Sequence, residues 1–288
     1  MNNLSVFVET SVENSKQSRV TNPMQHSRLQ KLEAALNKLF LDELNSEDSI
    51  FIKISPNVVK KIAMFMSGMI YRPAAIGICG ETACGKSTIV QDSLCVLTEV
   101  LRKDAVTRIN TDDYYHDRSK EVEAAGSFAE FAKNYDFDVP EAIELCLMKE
   151  HITMLLNHQE VYLPKYDMSG TTKRFDNHRL AKPSSVVLAE GLFTLTDGIS
   201  DIFDFKIYVD IDREVQKKRF FERAKQRDLG DSAHQMLEKA INNAQIYVNP
   251  CMENADIILN GEVSREKYRQ FINSMLLLIE STCFNFAV

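Results

Sequence analysis

The stretch Gly80-Glu81-Thr82-Ala83-Cys84-Gly85-Lys86-Ser87 constrains this chain more than any other. It matches the pattern G-x-x-x-x-G-K-[ST], in which glycines let backbone N–H groups curl around a phosphate. That pattern has its meaning between a strand and a helix, and both neighbours are present. The apolar run 74–79 precedes it, and a helical pattern over 88–103 follows. The helix N-terminus adds the positive end of its dipole to the cradle. Lys86 is placed to reach the β- and γ-phosphates, and the Ser87 hydroxyl to bind Mg²⁺. The expected ligand is a nucleoside triphosphate, held by the loop and by Thr88 behind it. A guanine-reading Asn-Lys-x-Asp motif is absent from the sequence, which favours ATP. Cys84 is expected as a small residue tolerated inside the loop and as a position open to alkylation.

Around this loop the pattern alternates. Short apolar runs at 74–79, 105–110, 185–189, 205–209 and 257–259 read as strands, and 88–103, 140–157, 213–227, 232–246 and 265–281 as helices. Strands alternating with helices imply a mostly parallel sheet covered on both faces, an α/β three-layer sandwich built around the phosphate loop. Ahead of it, 1–25 reads as a tail. Leu29, Leu32, Leu36, Phe40 and Leu44 mark an amphipathic helix, and a second helix opens at Ser55-Pro56 and runs to about Gly68. The expected organisation is a helical extension over 1–70, serving packing or oligomerisation, and an α/β domain around the phosphate loop over 71–288.

A net charge of −7 argues against a general nucleic-acid or anionic-membrane binder. The longest apolar stretches, 62–70 and 275–279, fall short of the ~20 residues of a spanning helix. No basic start followed by an apolar run opens the chain, so a cytoplasmic location is expected. The six cysteines lack CxxC spacing and disulfide-scaffold density, and read as reduced thiols.

Two acidic sites end predicted strands: Asp112-Asp113 after Ile109-Asn110-Thr111, and Glu190-Gly191 after Val186-Val187-Leu188-Ala189. In an open parallel sheet, strand carboxyl ends face the ligand crevice. A carboxylate there can take a proton from an acceptor hydroxyl or hold Mg²⁺. Arg219, Arg223 and Arg227 follow at i, i+4 and i+8, within one ~80° arc of a helix. They read as a lid that closes over the triphosphate and neutralises charge on the transferred group.

Together these pieces resemble the uridine kinase and phosphoribulokinase branch of phosphate-loop kinases, over about residues 73–259. Ile109-Asn110-Thr111-Asp112-Asp113-Tyr114-Tyr115 resembles that family's Asp-Ser-Phe-Tyr segment, which implies Asp112 as catalytic base and Tyr115 on the acceptor side. Asn134-Tyr135-Asp136-Phe137-Asp138-Val139-Pro140-Glu141-Ala142 resembles its Asn-Phe-Asp-His-Pro-Asp-Ala segment, with Val139 in place of the histidine, implying Asp138 as a ribose-hydroxyl ligand with Phe137 against the acceptor. Leu163-Pro164-Lys165-Tyr166-Asp167 resembles a second acceptor loop, and Glu190-Gly191 the family's metal-serving Glu-Gly. Arg219 and Arg223 match its lid arginines, and Arg227-Asp228 a later pair. Where the family's nucleoside kinases carry an aromatic, a histidine and an arginine to read a pyrimidine, this chain has Met168, Thr171 and Lys173. The helical preamble is similar to that of pantothenate kinase.

The resemblance implies transfer of the ATP γ-phosphoryl group to a primary hydroxyl, with Mg²⁺. Lys86, Arg219 and Arg223 stabilise charge, Ser87 and Glu190 serve the metal, and Arg227 joins the nucleotide site. Tyr115, Phe137, Asp138, Tyr166, Met168 and Thr171 line the acceptor site. Uridine or cytidine is the expected acceptor. Pantothenate, a sugar, or a nucleotide-binding switch or ATPase without an acceptor are the alternatives.

Overall fold

The computed structural model describes residues 23–70, 72–100, 105–226, 230 and 232–283. Most of the expected tail, and the expected site residues Arg227 and Asp228, lie outside the described residues. Strands β1 (Phe51–Ile54), β2 (Ala74–Cys79), β3 (Val106–Asn110), β6 (Val186–Glu190), β7 (Phe205–Asp210) and β8 (Ile257–Asn260) form one sheet in the order β1-β8-β7-β2-β6-β3. All neighbours in it are parallel except β1, which runs antiparallel to β8. A separate hairpin joins β4 (Val161–Tyr166) to β5 (Arg174–Ala181).

The expected three-layer α/β arrangement is present. Continuous apolar runs such as Ala74–Cys79 suit strands buried on both sides. Their alternate residues divide between two cores. Ala75, Cys79, Ile109 and Val187 pack with Met148, Ile152 and Leu155 of α6 (Leu145–Leu156) and with Ala244 of α8 (Ser232–Tyr247). Ala74, Ile78, Leu188 and Leu259 pack with Ile89 and Val90 of α3 (Lys86–Val100) and with Phe271 and Ile279 of α9 (Arg265–Cys283). Gly77 is demanded by this packing, because a Cβ there would lie 2.7 Å from the Phe203 ring.

The expected N-terminal extension is woven into the second core. α1 (Pro23–Leu44) buries Leu29, Leu32, Leu36 and Phe40, one helical face at i, i+3, i+7 and i+11. Between α1 and α2 (Val58–Met66) the chain contributes β1, which the sequence reading left out. An edge strand buries only part of itself: Phe51 is buried while Ile52 is 51% exposed, so four residues carry no clear alternation. The Phe51 ring stacks on Phe40 at 5.2 Å and meets Phe271 edge-on at 5.0 Å, joining α1, β1 and α9. Lys61 donates to the Asp204 carbonyl at 2.7 Å, and Arg72 grips the Asp204 carboxylate through both terminal nitrogens, at 2.7 and 2.5 Å.

Three further differences fall between β3 and β6 in the chain. The hairpin β4–β5 and the short helices α4 (Ser119–Ala125) and α5 (Phe128–Asn134) are absent from the sequence expectation. The helix expected from 140 begins at Leu145, because Pro140–Ala142 forms a separate 3₁₀ turn. Among the described residues no helix is long and apolar enough to cross a membrane.

Candidate active site

Parallel pairing brings the carboxyl ends of the central strands to one edge: Ile78 and Asn110 both stand beside Glu190, and Cys79 beside Tyr208. The phosphate loop follows β2 at this edge. Gly80 lies so close to β7 that a Cβ would sit 2.5 Å from the Val209 carbonyl oxygen, and Gly85 takes φ +104°, which favours glycine. Lys86 Nζ donates to the carbonyls of Gly80 at 2.6 Å and Glu81 at 2.8 Å. Ser87 and Thr88 are exposed in the first turn of α3.

The side chain of Glu81 turns away from the loop's mouth. Arg213, which opens α7 (Arg213–Gln226), donates to its two oxygens at 2.6 and 3.0 Å, and Gln216 donates to it at 2.8 Å and to the Thr82 carbonyl at 2.9 Å. Glu81 therefore shapes the loop from behind. Cys84 is fully buried, and burial pushes its thiol up against the opposing pull of Lys86. The expectation that it is open to alkylation is corrected by that burial. Gly261, just past β8, closes the loop's floor: a Cβ there would lie 2.4 Å from the Cys84 carbonyl oxygen.

The arginine-bearing helix faces the loop. Arg219 donates to the carbonyl of Gly261 at 2.8 Å and reaches that of Cys84 at 3.5 Å. Arg223 donates to Thr82 Oγ1 at 2.8 Å.

Asp112 sits in the 3₁₀ turn Thr111–Tyr114, its backbone N–H donating to Asn110 Oδ1 at 3.0 Å. Desolvation pushes its carboxyl above the usual range; the charges of Glu190 and Asp113 add to this, while Lys86 and Arg223 oppose it. Asp112 thus feels the loop lysine, the β6 carboxylate and the α7 arginine together. Asp113 faces elsewhere, paired with Lys165 at 2.9 Å. Glu190 is 1% exposed, and Arg108 donates to its Oε1 from Nε at 2.8 Å and also from Nη2. The glycine after it is obligatory, since a Cβ on Gly191 would lie 1.5 Å from Thr111 Oγ1. That hydroxyl is buried and has no hydrogen-bond partner.

Beyond Asp112 stands an aromatic wall. Tyr115 lies 5.9 Å from the Phe137 ring and 5.2 Å from that of Tyr166, and its hydroxyl donates to the Phe137 carbonyl at 3.1 Å. Phe128, Phe131 and Tyr135 extend the wall around Phe137, a contribution of α5 that the sequence reading missed. Asp138 is pushed up to about 6, chiefly by burial and then by the Asp136 and Asp112 charges, with Arg223 and Lys86 pulling down. Lys86, Asp112, Asp138 and Arg223 therefore share one electrostatic site. Met168 and Thr171 stand at the hairpin tip. Met168 is 58% exposed, and the Thr171 hydroxyl donates to Asp167 Oδ2 at 2.5 Å.

Arg213, Gln216, Gly261 and Arg108 had no sequence signal, because each acts through a partner distant in the chain. Phe128 and Phe131 carried a faint one, a helical spacing of aromatics beside a motif segment.

A model described as the phosphoribulokinase / uridine kinase family matches residues 75–266. The uridine kinase of Halobacterium salinarum is 32% identical over 189 residues, covering 64% of this chain and 79% of that protein. That of Clostridium perfringens is 32% identical over 180 residues, covering 62% and 79%. That of Lactobacillus helveticus is 26% identical over 198 residues, covering 67% and 89%.

Proposed function

Since the chain belongs to the phosphoribulokinase / uridine kinase family and is a phosphate-loop small-molecule kinase, we propose that it phosphorylates the 5′-hydroxyl of uridine or cytidine from ATP. The observation that carries this reading is the strand edge itself, where the half-buried Asp112 lies in the field of Lys86, Glu190 and Arg223 beside an aromatic wall. In this reading Asp112 takes the proton of the acceptor hydroxyl as its oxygen bonds to the γ-phosphorus and the bond to ADP breaks. Lys86 and the loop amides hold the phosphates. Arg219 and Arg223, on a helix already seated against the loop, offset charge on the transferred group. Tyr115, Phe137 and Tyr166 position the acceptor ring, and Asp138 accepts from its hydroxyls. The relatives named uridine kinase support the nucleoside as acceptor.

Mg²⁺ suits the donors present. Ser87 Oγ and the carboxylate of Glu190 are hard oxygen ligands. Both Arg108 contacts go to Glu190 Oε1, so Oε2 is the atom assigned to the metal or its water. Among the described residues no group of three or more His, Cys, Asp or Glu is set to hold a metal alone. That fits an ion whose remaining ligands are triphosphate oxygens and water. When bound there, Mg²⁺ would supply charge neutralisation at the phosphates.

One observation favours a second acceptor class, another small alcohol such as pantothenate or a sugar. The Thr171 hydroxyl is engaged by Asp167, and Met168 is exposed, so neither is committed to a pyrimidine edge. ADP release with Mg·ATP against uridine, cytidine, other nucleosides, pantothenate and simple sugars tests both. Turnover with uridine or cytidine is expected. Turnover with a non-nucleoside alone would overturn the nucleoside, and acceptor-independent hydrolysis would overturn acceptor phosphorylation.

A further inference from the structure

Outside the edge strand β3, between it and the hairpin, lies a cavity of about 250 Å³ that touches the site above through Arg108, Asn110 and Asp113. Arg108, Lys165, His178 and Arg179 line it, with Asp113 as its one carboxylate. Three permanent cations and a histidine thus converge on one hollow in a chain of net charge −7. Asp113 pairs with Lys165 at 2.9 Å and Glu190 with Arg108, while the hollow itself holds a single carboxylate. Arg179 donates one N–H to the Arg108 carbonyl, at 3.0 Å, and this fixes its head against β3. A guanidinium has five donors in a planar fork, and so suits a phosphate. The Lys165 and Arg179 side chains come from β4 and β5, so the hairpin itself builds the basic wall.

Arg108 belongs to both places. The residue lines this cavity, and its guanidinium holds Glu190 Oε1 at the end of β6. We propose that the cavity binds a phosphate-bearing small anion, and that Arg108 couples its occupancy to the carboxylate at the strand edge. An anion drawing on Arg108 weakens its grip on Glu190 and leaves that carboxylate freer for a cation. The coupling half rests on the reading of Glu190 as the metal residue; the anion site does not.

Inorganic phosphate is the probe, added to the full chain with the phosphate loop filled by Mg²⁺ and a non-hydrolysable ATP analogue. The His178 imidazole resonances, assigned by their loss in His178→Gln, report occupancy without any turnover. Saturable shifts are expected, with affinity weakened about tenfold in Arg179→Gln, the loss of one charge-assisted contact. Shifts that do not saturate, or equal affinity in Arg179→Gln, would overturn the site. In steady-state turnover, phosphate is expected to lower the Mg²⁺ concentration for half-maximal rate about fivefold, the low end of ordinary site–site coupling. Arg179→Gln should keep its basal rate and lose this effect. Saturable binding with an unmoved Mg²⁺ midpoint would overturn the link through Arg108. Absent turnover with saturable binding would instead count against the kinase reading and leave the anion site standing.

Discussion

Replacing Asp138 by asparagine should stabilise this protein at neutral pH while impairing its use of an acceptor. Burial, then the neighbouring Asp136 and Asp112 charges, raise the carboxyl from 3.8 to about 6. A carboxyl whose pKa is raised on folding holds its proton more tightly in the folded state, so stability falls as pH climbs between those two values. Above the folded pKa the whole penalty is present: about 2 pH units at ~1.4 kcal/mol each, or about 3 kcal/mol. Below 3.8 both states are protonated and the penalty vanishes. Asparagine keeps the shape without the charge. Urea denaturation of wild type and Asp138→Asn at pH 8 and pH 4 therefore separates the effect from any packing change. The variant should gain about 3 kcal/mol at pH 8, a midpoint shift of about 1 M urea, and little at pH 4. Equal gains at both pH values, or no gain at pH 8, would refute the reasoning. The same variant should show a raised acceptor KM and lose the acid limb near pH 6 in the profile of kcat/KM, since Asp138 is proposed to accept from the acceptor in its ionised form.

Two further outcomes follow from the packing. Gly191→Ala places a methyl 1.5 Å from Thr111 Oγ1 and must displace the turn that carries Asp112. About 2–3 kcal/mol of stability should be lost by overpacking, with a fall in kcat larger than the change in ATP affinity; unchanged kcat in a folded variant would contradict the placement. Phe51→Ala opens a hole between Phe40 and Phe271 and should cost about 3–5 kcal/mol in one cooperative transition. A separate early transition would show instead that the N-terminal elements unfold apart from the sheet.

What the sequence displayed and what it hid differ in range. The phosphate loop is legible because its mechanism is local: strand, glycines, lysine and helix start are contiguous from Ala74 to Ser87. Asp112 and Glu190 are legible because each ends an apolar run, and parallel pairing puts such ends on one edge. Strand β1 was hidden by its length and by Ile52 facing outward, so that Phe51 and Ile54 alone gave no period. The hairpin was hidden by β5, whose residues from Phe175 to Leu180 are all exposed and carry no hydrophobic alternation. Glu81 reads with the rest of the loop as nucleotide-binding; Arg213 and Gln216, far along the chain, turn it behind the loop. Gly261 and Arg108 matter through partners at long sequence separation, which no local pattern encodes.

The proposed phosphoryl transfer depends most directly on Asp112. Steady-state ADP release with uridine as acceptor, beside equilibrium ATP binding, should be measured for wild type and Asp112→Asn. Loss of general-base action should lower kcat about 10²–10⁴-fold, with ATP affinity within about twofold of wild type. A variant that turns over uridine at near wild-type rate would contradict the assignment of the base and, with it, the reading of this strand edge as the catalytic site.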